Sequence, residues 1–334
     1  MTRALYVKRS APGITVQDLG RTGYLSYGVS RGGAADPLAL AEGAALLGQD
    51  PKHAGIEMAA VGGVFEANED MRIALTGATM HAKIDGKPLR WNASHVLPAG
   101  ARLAIEAATN GNYGYLSVGG GLALPKIMGA QSAHLAAGIG GIVETGTALS
   151  VGPDSGKDVG WTLTPELRLE GGPVRVVPSL QTELFDSAEI SRFEETVFKR
   201  DVRSNRMGAR LAFDGPGFSS DSGLSILSEV IVPGDIQITG DGTPFVLLNE
   251  CQTVGGYPRI GCVLPSDLPK VAQAPTAAPL RFKFVPLEQA VEIEARAGAA
   301  RRALPDALAP LVRDPRKMSD LLAYQLISGV VSGV

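Results

Sequence analysis

Short segments in which hydrophobic and polar residues alternate run through most of the 334-residue chain. In the first half they are "MRIALTG" (71–77), "HAKIDGKPLRW" (81–91) and "ARLAIEAATNGNYGYLSVGGG" (101–121). Alternation with a period of two residues is typical of strands with one buried face, and Asp-Gly or Asn-Gly is a hairpin signal. We therefore predict strands joined by hairpins at Asp85-Gly86 and at Asn110-Gly111.

Segments of the same kind recur in the second half, where Gly or Pro stands at their ends. They cover residues 167–178, 234–249, 259–265 and 280–287. The stretch "WTLTPE" (161–166) separates the two groups and predicts a linker. The pattern as a whole predicts a mainly β fold with two β domains, residues 1–160 and 161–287.

Helical periodicity appears in three places. In "ADPLALAEGAALLGQ", Asp36 is the expected N-cap, Pro37 the first helical residue and Gly48 the C-cap. A second helix is predicted over 187–200, which begins at a serine. The apolar residues on one face of that helix are Ile190, Phe193 and Val197.

The third helical region is the C-terminus, residues 288–334. "EQAVEIEARAGAARRAL" predicts one helix, and Asp314-Pro315 opens another. The apolar stripe of the latter consists of Met318, Leu321, Leu322, Leu326 and Val330. We predict a helical appendage that packs on the β domains, with docking on a partner as the alternative.

Composition narrows the function classes. The net charge is −3 and the basic residues are scattered, so the chain has no electrostatic footprint for nucleic acid and no polybasic membrane patch. No apolar run approaches the ~20 residues of a membrane span. We expect a soluble, cytoplasmic protein whose two cysteines, Cys251 and Cys262, are buried free thiols.

Familiar catalytic motifs are absent. "GPDSGKD" (152–158) has the wrong spacing for a phosphate loop, and "GIGGIV" (138–143) fails the dinucleotide fingerprint. The four histidines show no metal-ligand spacing, so no metal is predicted.

Glycine-rich polar loops remain as candidate chemistry. The loop "TVQDLGRTGYLSYGVSRGGAAD" (15–36) brings Gln17, Asp18 and Arg21 close together and ends in Gly32-Gly33 before a helix N-terminus. Free backbone N–H groups there favour an anion or a carbonyl oxygen. The alternative is an ordinary helix cap with solvated charges.

Six stretches in order, from about residue 5 to 286, carry a resemblance to a known family. They are "TVQDLGRTGY", "GVSRGGAADPLAL", "ALTGA", "SNRMGARL", "GDIQITGDGTPFVLL" and "QTVGGYPRIGCVLPSDLPKVAQ". Together they resemble the allophanate hydrolase subunit 2 family, also called the biotin-dependent carboxyltransferase family. That family includes the C subunit of bacterial 5-oxoprolinase.

The resemblance implies a cyclophilin-like β-barrel architecture and work alongside a B-type partner that is similar to allophanate hydrolase subunit 1. For a 5-oxoprolinase it implies ATP shared with the partner, a small lactam or amide substrate, and a third, LamB-type hydrolase subunit. Carboxyl transfer from biotin to urea or another amide is the alternative activity. A non-catalytic regulatory paralogue is the third possibility.

The family's last motif suggests a ligand site in the stretch 251–258, with a tight barrel corner as the alternative. Gln252 can donate and accept towards an amide edge, and two glycines allow close backbone approach. The predicted catalytic residues are Gln17, Asp18, Arg206, Gln252 and Tyr257. The predicted substrate-binding residues are Arg21, Gly32, Gly33, Gln237, Thr253, Gly255, Gly256, Pro258 and Asp267. A shared pocket is expected for Gln17, Asp18, Arg21, Arg206, Gln252 and Tyr257, which requires the loops 15–23, 204–208 and 251–258 to converge although they lie far apart in sequence.

The chain also departs from the family pattern. Cys251 and Gln131 stand where the family has arginines, and neither replaces an arginine's charge. Arg206 is retained in "SNRMG", whose glycine and methionine offer it no local carboxylate. We therefore expect Arg206 to bind an anion; a purely structural role is the alternative.

Overall fold

The computed structural model describes residues 3–156, 158–220 and 223–312. The first half contains, in chain order, β1 (Ala4–Arg9), β2 (Ile14–Gln17), α1 (Pro37–Leu47), β3 (Gly55–Ala59), β4 (Val64–Ala67), β5 (Met71–Ile84), β6 (Lys87–Leu89), β7 (Ala93–Leu97), β8 (Arg102–Val118), β9 (Ala148–Ser150) and β10 (Trp161–Thr162). The second half contains β11 (Gly172–Val177), α2 (Ser187–Glu195), β12 (Phe198–Arg200), β13 (Gly208–Ala212), β14 (Glu229–Val230), β15 (Asp235–Ile238), β16 (Pro244–Leu247), β17 (Val254–Gly255), β18 (Arg259–Val263), α3 (Leu268–Gln273), β19 (Pro279–Phe284), α4 (Leu287–Arg302) and β20 (Ala309–Pro310). The predicted mainly β fold is confirmed.

The first-half strands form one large sheet. Its order over the described residues is β20-β10-β7-β5-β8-β4-β1-β9, with β2 beside β3, β3 also beside β8, and β6 beside β5. The turn at Asp85-Gly86 joins β5 to β6, as predicted, with positive φ at both residues. The hairpin predicted at Asn110-Gly111 is wrong, because these residues lie inside β8. There the register with β5 shifts, and Gly111 has φ +85°.

The second-half strands β11-β18-β15-β16-β13-β12-β19 form a closed barrel, which the parallel pairing of β11 with β19 completes. Its core is aromatic, since the Phe193 ring of α2 lies 5.0 to 5.5 Å from the rings of Phe198, Phe218 and Phe282. The predicted barrel architecture is confirmed.

Helix α2 is shorter than predicted. Its N-cap is Asp186, whose side chain accepts a hydrogen bond from the Glu189 backbone, and it ends at Glu195. Beyond it the chain becomes β12, in which Phe198 and Arg200 are buried and Lys199 is exposed. That period of two residues belongs to a strand, which explains the misplaced end.

Helix α1 has the predicted ends. Asp36 accepts a hydrogen bond from the Ala39 backbone, Pro37 comes first, and Gly48 is left-handed with φ +59°. Buried Arg168 donates to Asp36 at 2.7 Å and to both oxygens of Glu42 at 2.7 and 2.9 Å. The segment between the two halves is thereby fixed to α1.

The predicted domain boundaries stay predictions, because chain segments cross between the halves. Strand β10, at the start of the predicted linker, pairs with β7 of the first sheet, and β20 pairs with β10. The apolar side chains Ala290 and Ile293 of α4 pack with Leu264 of the barrel. The helix predicted to start at Asp314-Pro315 lies outside the described residues. Over the described residues, the structure has no helix both long and apolar enough to span a membrane.

Candidate functional site

A cleft of about 350 Å³ lies between the two halves of the chain. The loop before α1 forms one wall, and residues of the barrel half form the other. Its lining is largely apolar and includes Leu19, Leu25, Val29, Ala34, Pro37, Pro233, Pro265, Leu268 and Pro269. Arg21, Thr22, Arg31 and Asn249 add polar groups. A small, mostly apolar cavity with few polar groups is typical of a ligand site.

The wall loop is closed at its base by backbone hydrogen bonds. The Ala34 N–H donates to the Asp18 carbonyl at 2.9 Å, and the Arg21 N–H to the Arg31 carbonyl at 2.8 Å. Gly33 has φ +83°, and a Cβ there would lie only 2.7 Å from the Gly20 nitrogen. Only glycine fits at this position, so the glycine pair shapes the loop.

Arg21 is the buried cation of this wall. Its side chain reaches the Ser132 carbonyl through Nη2, and the residue is 2% exposed. Burial lowers the pKa of Arg21, while the nearby charges of Asp18 and Glu250 act in the opposite direction. Over the described residues, neither Nε nor Nη1 has a hydrogen-bond partner.

Buried polar atoms without partners concentrate around Arg21. Eight such side-chain atoms occur in the described chain, and four of them belong to Gln17 (Oε1), Arg21 (Nε and Nη1) and Ser132 (Oγ). The Gln17 amide meanwhile donates to Thr15 at 3.0 Å and to the Ala133 carbonyl at 3.3 Å. Unpaired buried polar groups are rare in folded proteins, so this cluster makes the wall loop a candidate functional site.

Asp18 organises the wall through backbone contacts. One carboxylate oxygen accepts from the Gly20 N–H at 2.8 Å and the other from the Gln131 N–H at 2.7 Å. The Gln131 amide donates to the carbonyls of Leu122 and Leu124, both at 2.8 Å. Gln131, where the resemblance implies an arginine, thus lies beside Asp18 and has a neutral side chain bonded to backbone.

Arg206 is not the free anion fork that its loop suggested. Its guanidinium donates to Glu57, to Glu250 at 2.5 Å and to the Gly33 carbonyl at 2.6 Å. Burial alone would lower the pKa of Arg206, but the charges of these two carboxylates raise it. The expectation that Arg206 lacks a carboxylate was therefore wrong, and its donors join the two halves of the chain.

The stretch 252–258 lies in a different environment. Strand β17 pairs with β14, and Gln252 and Tyr257 are exposed. A Cβ at Gly255 would lie 2.4 Å from the Gln237 amide nitrogen, which has no partner of its own in the described chain. The same part of the chain includes Thr253, Gly256 and Pro258, whose carbonyls accept from the backbone N–H groups of residues 231, 226 and 238.

The predicted single pocket is therefore only partly assembled. Asn249 and Glu250 reach the cleft wall, whereas the stretch 252–258 contacts β14, β15 and residues 226–231. Asp267 lies in chain order between the cleft-lining residues Pro265 and Leu268, but its carboxylate binds Arg175 through both oxygens at 2.6 and 2.7 Å. Burial would raise the pKa of Asp267, but the hydrogen bonds from that arginine lower it, which marks an orienting structural role.

A serine, a histidine and a carboxylate that no sequence motif connects meet beside Arg21. Ser30 Oγ lies 2.9 Å from His134 Nε2, and His134 Nδ1 lies 3.9 Å from Glu250. However, the Ala137 N–H donates to His134 Nδ1 at 3.2 Å, so Nε2 carries the proton of the neutral ring. Burial lowers the pKa of His134 and favours that neutral form. The ring cannot take a proton from Ser30 in this arrangement, so it is no nucleophilic triad.

Both cysteines are free, as expected, but of the two only Cys251 is fully buried, whereas Cys262 is half-buried. Burial, reinforced by the charge of Asp235, raises the pKa of Cys251 and Cys262 to about 12. At pH 8 only about one thiol in ten thousand would then be the reactive thiolate. We expect disulfide-exchange reagents to label the native chain slowly and both thiols rapidly in denaturant. Rapid labelling of two thiols in the native chain would contradict this environment.

Known proteins match this chain over most of its length. The family model of the carboxyltransferase domain, subdomain A and B, matches residues 27–284. The C subunit of 5-oxoprolinase from Escherichia coli (strain K12) is 33% identical over 86% of this chain and 93% of that protein. The corresponding C subunit from Haemophilus influenzae is 33% identical over 84% of this chain and 90% of that protein.

Solved structures agree with the fold. The crystal structure of TTHA0988 has a TM-score of 0.77 and 26% identity over 84% of this chain, which spans 55% of that longer chain. The structure of the K. lactis urea amidolyase matches 94% of this chain with a TM-score of 0.82, and the match covers 21% of the amidolyase chain. Because the sequence identity is 22%, this likeness shows the fold alone. The matched family model and the two 5-oxoprolinase relatives show that this chain belongs to the carboxyltransferase-domain (subdomain A and B) family, as its six motifs predicted.

Proposed function

We propose that this chain is the C subunit of an ATP-dependent 5-oxoprolinase, a lactam hydrolase that works with a B-type partner. The observation that carries the proposal is the 33% identity to the C subunit from E. coli, because it extends over 93% of that protein. Because the match covers nearly the whole E. coli subunit, it favours the same role in the assembly more strongly than a match to one domain of a larger protein would.

The cleft between the halves is the proposed lactam site. An amide carbonyl is a poor electrophile, and fixed donors in a site that excludes water stabilise the charge that develops on its oxygen. The walls of the cleft are largely apolar, and Arg21 beside them supplies a buried positive charge. The role of this chain is to bind and orient the lactam.

The cleft lining does not fit ATP. A triphosphate needs several cations or backbone N–H donors, whereas Arg21 and Arg31 are the cationic residues among those that line the cleft. We therefore assign the triphosphate to a site shared with the partner.

A carboxyltransferase that uses biotin is the second candidate. It is favoured by the name of the matched family model and by the shared fold with the K. lactis urea carboxylase, at a TM-score of 0.81. The neutral Gln131 and Cys251 in place of family arginines favour a regulatory paralogue as the third candidate. The carboxyltransferase would turn over a different substrate from the 5-oxoprolinase, and the regulatory paralogue would turn over none.

Association with the partner is the first test. We expect this chain, co-expressed with a B-type 5-oxoprolinase subunit, to elute from size exclusion as one complex that buries about 1,600 Å² or more. Exposed apolar side chains such as Leu167, Leu180 and Leu227, each 87–89% exposed, are available for such burial. Two separate monomer peaks at micromolar concentration would contradict this role.

A further inference from the structure

Asn249 holds the wall loop of the cleft through the nitrogen end of its side-chain amide. Nδ2 lies 2.5 Å from the Ala34 carbonyl oxygen, and 3.3 and 3.4 Å from those of Gly32 and Gly33. The Asn249 main-chain carbonyl in turn accepts from the Gly32 N–H at 2.9 Å. Three carbonyl oxygens would repel an amide oxygen at this place, so they determine which end of the amide is the nitrogen.

The oxygen end of the same amide is available as an acceptor. Among the described residues, Asn249 Oδ1 has no hydrogen-bond partner, and it does not belong to the eight buried side-chain atoms in that state. The oxygen is therefore accessible. Asn249 lines the cleft, and its Nδ2 is bonded to the wall loop, so Oδ1 is the polar side-chain atom that this residue offers to a ligand.

An accessible acceptor on an apolar wall selects a ligand that carries a donor. Leucine, valine and proline side chains dominate the lining, and the Arg21 nitrogens without partners are buried and offer a ligand no direct contact. An anionic oxygen at Oδ1 would be repelled, because it can only accept. A small apolar ring with one N–H matches this acceptor and the volume of about 350 Å³.

We propose that Asn249 Oδ1 accepts a hydrogen bond from the ring N–H of a lactam in this cleft and thereby selects the lactam over a lactone of the same shape. The identity of the lactam rests on the proposed function, which makes it 5-oxoproline. The two ends of the amide then have separate roles. Nδ2 keeps the wall in place, and Oδ1 recognises the ligand.

Ligand-observed NMR titration of the full chain tests the proposal with two matched pairs of probes. The first pair is 5-oxoproline and 5-oxotetrahydrofuran-2-carboxylate, the lactone that has a ring oxygen in place of the N–H. The second pair, 2-pyrrolidinone and γ-butyrolactone, repeats the exchange without a carboxylate. Because the lactone leaves the acceptor unpaired, we expect each lactam to bind about tenfold or more tightly than its lactone.

Asn249→Ala shows whether this residue is the source of the preference. Removal of Oδ1 should lower the ratio of the two dissociation constants in each pair to about one. All four probes should also bind more weakly, since the wall loses the Nδ2 contacts. Arg206→Lys is the matched control, because Arg206 donates to the same wall at the Gly33 carbonyl but does not line the cleft. It should keep the ratio of the parent chain.

The outcomes separate this site from the proposed function. A preference for 2-pyrrolidinone over γ-butyrolactone that is lost in Asn249→Ala supports the site even if the assembled enzyme does not cleave 5-oxoproline. Equal binding of lactam and lactone by the parent chain overturns the proposal, as does failure of all four probes to bind. This comparison needs no variant, so it decides the matter even if Asn249→Ala does not fold. A preference that persists in a folded Asn249→Ala would leave Asn249 a structural role alone and overturn the proposal as well.

Discussion

Replacing Arg206 with alanine is expected to lower the free energy of unfolding by about 3–5 kcal/mol. Its guanidinium pairs with the side chains of Glu57 and Glu250, which are 1% and 2% exposed. Without Arg206 both carboxylates stay buried and lose that cation. The Gly33 carbonyl also loses its 2.6 Å hydrogen bond and keeps the longer one from the Asn249 amide at 3.4 Å, so the cleft wall loosens together with the contact between the halves.

Urea denaturation of the purified chain measures this effect. Arg206→Lys should lie between alanine and the parent chain, because one ammonium keeps the charge but cannot reproduce the planar fork. Arg203→Ala is the matched control, since this exposed arginine in the same loop bonds Asp201 at the surface. A drop for Arg206→Ala no larger than that of Arg203→Ala would show that the ion pairs contribute little.

Replacing Arg168 with alanine is expected to have a similar effect, about 3–5 kcal/mol at pH 7. Asp36 and Glu42 are 0% and 4% exposed at their side chains and share this arginine. Burial raises the pKa of Glu42, and the charge and hydrogen bonds of Arg168 oppose that rise. Removing the arginine leaves burial unopposed.

The loss in Arg168→Ala should shrink in acid. A carboxyl whose folded pKa lies above its unfolded value of 4.5 takes up a proton first in the folded chain as pH falls. The loss of stability is therefore at its maximum when the pH is far above the folded pKa of Glu42. It becomes smaller as the pH falls through that folded pKa towards the unfolded value of 4.5. Urea denaturation of parent and variant at about pH 7 and about pH 5 measures the difference. A difference that stays constant or grows towards the lower pH would contradict a buried, unpaired Glu42.

Local chemistry explains which parts of the fold were predictable. The ends of α1 follow from Asp36, Pro37 and Gly48, because capping acts within a few residues. The turn at Asp85-Gly86 is equally local. Asn110-Gly111 carries a comparable signal, but the long pairing of β5 with β8 uses it as an irregularity within a strand. Tertiary pairing overrode the local preference there.

For the site, too, the sequence predicted contacts between residues that are close along the chain but not contacts between distant ones. The spacing of Gln17, Asp18 and Arg21 indicated the wall loop directly. The role of Arg206 was missed because its carboxylates lie 149 and 44 residues away in sequence. His134 and Ser132 were missed too, since their segment carried no signal beyond its departure from the family pattern. Contacts over such separations become visible only when the two halves are folded together.

Our proposal makes this chain a necessary part of a 5-oxoprolinase. Glutamate release from 5-oxoproline, measured with the purified cognate subunits combined in the presence of ATP, tests that requirement. We expect turnover with the full set, and none when this chain is omitted or assayed alone. Equal turnover without this chain, or turnover only with urea and a biotin carrier, would contradict the proposal.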